Sequence, residues 1–84
     1  MEDIKALFDQ LPVGWSIVEY AGRRYGVTRS VSAGGKSEKL FAEALDGSDV
    51  VSANLYRVAL EDQLKPCEMP VDKVLDFLRE LRVT

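Results

Sequence analysis

Two short runs rich in β-branched and aromatic residues stand almost back to back near the start of the chain. They are Trp15-Ser16-Ile17-Val18-Glu19-Tyr20 and Arg24-Tyr25-Gly26-Val27-Thr28-Arg29, separated by Ala21-Gly22-Arg23. Runs of this composition favour extended backbone, and a glycine between them supplies the positive φ that a tight reversal needs. The spacing predicts a hairpin of residues 15–20 and 23–30, and a sheet grown outward from it.

The rest of the chain extends that sheet. Residues 38–45 contain good helix formers and are ambiguous by propensity, but they are short and end at Asp46-Gly47, a strong hairpin signal, so they read as a strand. Val50–Val58 has the densest β-branched and aromatic content and predicts the longest strand, with Val51, Ala53 and Leu55 on one side and Ser52, Asn54 and Tyr56 on the other. Residues 61–63 read as a further turn. Residues 64–68 read as an edge strand, because Pro66 has no N–H for a central ladder. Between the second and third strands, residues 30–37 hold Gly34, Gly35 and three serines, which reads as a mobile loop.

Amphipathic stretches close both ends. Ile4, Leu7, Phe8 and Leu11 fall on one helical face within residues 2–11, and Pro12 and Gly14 end that helix. Val71, Val74, Leu75, Leu78 and Leu81 form an apolar stripe on a second helix, with Pro70 in its first turn. The expected fold is α+β: an N-terminal helix, an antiparallel meander of four or five strands, curled into a partial barrel if Gly26 permits a bend, and a C-terminal helix. A chain of 84 residues allows one domain. A chain of that length buries only about 60–65% of its unfolded surface. Two short helices can leave a sheet face or edge uncovered, and a homodimer is a natural way to bury it.

Composition narrows the chemistry. There is no histidine and one cysteine among 84 residues, so no complete catalytic or metal-binding motif is present and no internal disulfide can form. No metal, cofactor or membrane span is expected, since no apolar run approaches the roughly 18–20 residues that cross a bilayer. The acidic start Met1-Glu2-Asp3 and the lone thiol read as cytoplasmic. Net charge is −3, from 11 basic and 14 acidic residues. Residues 23–39 hold five of the basic residues, Arg23, Arg24, Arg29, Lys36 and Lys39, against the single acid Glu38. That asymmetry suits an acidic protein or RNA partner, although exposed charges are often simply solvated.

Four constellations invite a functional reading. Gly34-Gly35-Lys36-Ser37 matches the end of a phosphate-binding P-loop, but Ser30 stands where the pattern needs a glycine, and a plain loop is the simpler reading. Cys67, between Pro66 and Glu68, has Lys65 as a possible activator and no histidine; an inert half-buried thiol is the alternative to a nucleophile. Trp15, Tyr20, Arg24, Tyr25 and Arg29 offer rings and guanidinium groups for a stacking platform, with Trp15 and at least one tyrosine needed in the core. Asp46, Asp49, Glu61 and Asp62 read as turn acids. The candidate binding residues are therefore Arg23, Arg24, Tyr25, Arg29, Lys36 and Lys39, with Cys67 as the one candidate nucleophile.

At Gly14-Trp15-Ser16, residues 22–29, residues 52–57 and Lys65-Pro66-Cys67-Glu68-Met69-Pro70, the chain resembles small uncharacterised bacterial proteins often labelled peptide methionine sulfoxide reductase. That resemblance implies a redox enzyme using Cys67. The chain lacks both the Gly-Cys-Phe-Trp segment of the main reductase class and the cysteine near a histidine of the other, and it has no second thiol to resolve a sulfenic acid. In architecture, a helix followed by five short bent strands is similar to the Sm-like fold, which implies ring assembly and RNA binding. The residues themselves point to a non-enzymatic binding or protein-interaction module.

Overall fold

A computed structural model of the protein describes residues 3–58 and 61–84, with side chains at all of these but Ala33, Val58, Glu61 and Asp62. The hairpin forms as the sequence predicts. Strand β1 (Gly14–Tyr20) pairs antiparallel with β2 (Arg23–Ser32), with Tyr20 opposite Arg23. Both turn residues take positive φ, 52° at Ala21 and 76° at Gly22, which marks a type I′ turn whose twist matches that of the strands. Strands β3 (Ser37–Ala44), β4 (Val50–Val58) and β5 (Glu61–Pro66) continue the meander. At the β3–β4 turn, the Asp46 carboxylate accepts from the Ser48 backbone N–H at 2.9 Å and Gly47 takes φ 76°.

Helix α1 (Ile4–Asp9) is capped by Asp3, whose carboxylate accepts from the Ala6 N–H at 3.2 Å. Helix α2 (Val71–Glu80) starts after Pro70, which stands at the N-cap. Both helices lie on one face of the sheet. There the alternate residues Val18, Tyr25, Val27, Leu40, Ala42, Ala44, Val51, Ala53 and Leu55 meet Phe8 and Leu11 from the N-terminal segment and Val74, Phe77, Leu78 and Leu81 from the C-terminal one. The Phe77 ring lies edge-on to Tyr20 and Tyr25, with centroids 5.0 and 5.2 Å away. Gln10 Nε2 donates to the Leu78 carbonyl at 2.6 Å and ties the end of α1 to α2.

The structure departs from the sequence reading in several places. The helix expected over residues 2–11 is Ile4–Asp9, and Met1 and Glu2 lie outside the described residues. Half of the segment expected to be a mobile loop is sheet: β2 runs to Ser32, a tight turn at Ala33–Gly35 reverses the chain, and β3 begins at Ser37. Gly34 and Gly35, at φ 65° and 90°, supply the tight reversal that composition alone presented as flexibility. Residues 61–63 are the start of β5, not a turn. The stripe of α2 runs through Phe77, and Val71 is exposed.

A sixth strand, β6 (Arg82–Val83), pairs antiparallel with β1 and was not expected, because two residues carry no readable alternation. The sheet order is β5-β4-β3-β2-β1-β6, so β5 and β6 are edges and the sheet curls without closing into a barrel. No helix among the described residues is long and apolar enough to cross a membrane.

Candidate binding surface

The six residues singled out for binding do not form one surface. In β2 the odd positions point at the helices, because Val27 must reach the core and the strand alternates. Tyr25 is consequently buried, and its hydroxyl donates to Asp49 at 2.8 Å. Burial, with that bond second, raises the Tyr25 pKa. Arg29 is buried as well. Its Nε donates to Glu38 at 2.8 Å, Nη1 to the Leu11 carbonyl at 2.7 Å and Nη2 to Asp9 at 2.8 Å. Lys5 completes the group, pairing with Asp9 and lying 2.9 Å from Glu38. The Lys5 ammonium holds the Asp9 carboxyl below its usual range. Tyr25 and Arg29 are therefore fold residues, taken out of the binding set by strand parity.

The remaining four are separated along the strands. Arg23 Nη1 donates to Ser48 Oγ at 3.0 Å and bridges two turns at one end of the sheet. Arg24 is near it. Lys36 lies beyond Ser32 at the other end, some eight residues along β2 from Arg24, or about 26 Å at roughly 3.3 Å per residue. Lys39 lies near that end as well. The basic segment is continuous in sequence and divided in space.

Cys67 follows β5 and is half-buried; its N–H donates to the Ser52 carbonyl at 3.0 Å, and the Asn54 side-chain amide donates to its Sγ at 3.8 Å. Among the described residues that neutral amide is the one side-chain hydrogen-bond partner of the thiol. Gly34-Gly35-Lys36-Ser37 is followed by strand β3 and not by a helix, so no phosphate cradle forms there.

What the fold does create is an uncovered sheet face, opposite the helices. Register sets its rows. Trp15, Thr28, Phe41 and Ser52 lie side by side across β1 to β4, and the next row along the strands holds Ser30, Lys39, Asn54 and Lys65. On the other side of the first row come Ile17, Gly26, Glu43 and Val50, and then Arg24, Glu19 and Arg82. Three aromatic rings stand on this face: Trp15 is 63% exposed, Phe41 41% and Tyr56 39%. Trp15, expected in the core, is outside because β1 places Val18 and Tyr20 inward.

Trp15, Phe41 and Leu45 surround a hollow of about 310 Å³, floored by Gly26 and Thr28 and flanked by Glu43. That is near the lower limit of small-molecule sites. Gly26 makes space on this face. A Cβ added there would come within 3.1 Å of Trp15 Nε1 and 3.5 Å of Leu45 Cδ2, so the indole leans over a position that only glycine leaves open.

Among the described side chains, the strand residues of this face comprise four cations, Arg24, Lys39, Lys65 and Arg82, and two carboxylates, Glu19 and Glu43. The sign is opposite to that of the whole chain, whose net charge is −3. Arg24, Lys39 and Lys65 form no ion pair among the described residues. Phe41, Leu45 and Tyr56 were not singled out from the sequence as binding residues, and Lys65 was singled out only as an activator of Cys67. The readable signal was parity: once Leu40, Ala42 and Ala44 are inward, Lys39, Phe41 and Glu43 must be outward.

Comparison with protein-family profiles, curated proteins and solved structures finds no match for this chain.

Proposed function

We propose that this chain is a non-enzymatic binding module whose recognition surface is the uncovered face of the sheet. The observation that supports the reading best is the hollow between Trp15, Phe41 and Leu45 over Gly26. Large apolar rings at an open surface cost solvation, and three of them gathered on one face of a small sheet with unpaired cations beside them fit a place that a partner covers. The surface expected from the sequence, a basic hairpin with its loop, is thereby moved to residues drawn from all six strands. Arg24 and Lys39 remain in it; Tyr25 and Arg29 support it from the opposite side.

The hollow itself is open to a direct test that needs no knowledge of the natural partner. Indole added at millimolar concentration to isotope-labelled protein should shift the amide resonances of Gly26, Thr28 and Phe41 and leave those of α2 unmoved. The Gly26→Leu variant, which fills the floor, should abolish those shifts. Shifts confined to the helical side, or none in the unaltered chain, would refute the reading.

A further inference from the structure

We propose that the ligand of this face is single-stranded nucleic acid, with one unpaired base seated in the Trp15–Phe41 hollow and the flanking phosphates on Lys39 and Lys65 to one side and Arg24 to the other. The inference rests on the binding-module reading and adds the partner's chemistry.

Three observations point the same way. The first is ring placement: Trp15 and Phe41 stand in one row, two strand spacings apart, about 10 Å at roughly 4.8 Å each. A flat base entering between them can stack on one while its edge meets the other, and such stacking serves unpaired bases, since a duplex keeps its faces covered. The second is the order of charges. Lys39, Phe41, the hollow and Arg24 occupy successive rows about 7 Å apart, so a cation stands on each side of the seated ring. The three steps between Lys39 and Arg24 span about 20 Å, so the phosphates they meet belong to nucleotides on either side of the seated one.

The third is Glu43 in the wall of the hollow. An acidic peptide would bring its carboxylate against this one. A base instead presents ring and exocyclic N–H groups, which a carboxylate accepts, as in pairing of acidic side chains with the amino group of cytosine or adenine. A second copy of the chain offering the same face would set one net positive surface against another, four cations and two carboxylates on each. Of the occupants that fit a positive, aromatic surface, a nucleic-acid strand is the one that also uses Glu43.

Trp15 is the chain's only tryptophan, so its emission reports on the hollow alone. Titration with octa-adenylate should quench that emission, and a plot of log affinity against log salt should fall with a slope near −2, at about −0.7 per phosphate neutralised. Lys39→Ala with Lys65→Ala should reduce the slope to about −0.7. Trp15→Ala and Phe41→Ala, both at exposed positions and expected to fold, should each weaken binding about 5- to 150-fold, read by anisotropy of labelled octa-adenylate. Octa-uridylate, which has no exocyclic amine, should bind less tightly than octa-adenylate.

Absence of quenching, or a salt slope that the double lysine variant leaves unchanged, overturns the proposal. So does tighter binding of octa-glutamate, which would assign the face to an acidic protein. If indole still shifts Gly26 and Thr28 while octa-adenylate does nothing, the nucleic-acid proposal falls and the binding surface stands. If neither binds, both fall.

Discussion

Arg29 shows how a single position can carry opposite meanings in sequence and in space. In the sequence it is one of five cations between residues 23 and 39; in the fold its guanidinium is enclosed by Glu38, Asp9 and the Leu11 carbonyl. Without Arg29 the buried Glu38 carboxylate keeps only Lys5 as a cation, which puts the loss at the low end of the about 3–5 kcal/mol typical of a broken buried pair. Arg29→Met should accordingly lower unfolding stability by about 3 kcal/mol, measured as a shift in the urea midpoint. Arg29→Met combined with Glu38→Leu should recover more than half of that loss, because the stranded carboxylate is gone. A single-variant loss below about 1 kcal/mol would show the network to be dispensable. Composition could not separate Arg29 from Arg24, its neighbour on the strand five residues earlier. Only the parity of β2 does, and parity became readable once Val27 was known to point inward.

At the scale of elements, the strands and helices were legible wherever a run was long enough to show its period. The four longest strands and both helices lie close to where the apolar pattern places them. Besides the start of β5, three features were not legible. Gly34-Gly35 suits a loose loop and a tight turn equally, and the choice is made by the pairing of Ser32 with Ser37. The two residues of β6 are too few to alternate. Trp15 is large enough to demand a core, but its strand offers two faces, and the one bearing Val18 and Tyr20 is the one taken.

That inward Tyr20 also ties β1 to α2. Its hydroxyl donates to the Asp76 carboxylate, which, with burial and the Asp76 charge, pushes its pKa up to about 12. An unfolded tyrosine ionises near 10. The phenol's contribution is therefore fully present below pH 10 and lost between pH 10 and about 12, since over that range the unfolded chain releases a proton that the folded chain retains. Tyr20→Phe should flatten the fall in stability between pH 10 and 12, followed by denaturant unfolding at stepped pH. Tyr25, raised in the same direction, keeps part of the slope. An unchanged profile would mean that the Tyr20–Asp76 bond does not form in solution.

For the molecule as a whole, the placement of both helices on one side decides what surface is left. An edge-joined homodimer would have β5 to build on, which ends in Lys65 and Pro66, or the two residues of β6; charge and proline at an edge both discourage strand addition. The open face was anticipated only in outline, as a face or edge that two short helices leave bare, because its residues come from strands far apart in sequence and meet only through register.

One consequence follows from the in-and-out alternation that β2 keeps over residues 24–30 and β3 over residues 38–44. The positions that hold the molecule together and those available for contact are different sets, interleaved one by one along the same backbone. A library varied at residues 15, 24, 28, 39, 41 and 54 should therefore remain largely folded by thermal denaturation while its ligand preference diverges, whereas one varied at 25, 27, 40, 42, 53 and 55 should yield mostly insoluble protein. The domain would then serve as a scaffold whose specificity can be rewritten without disturbing its architecture.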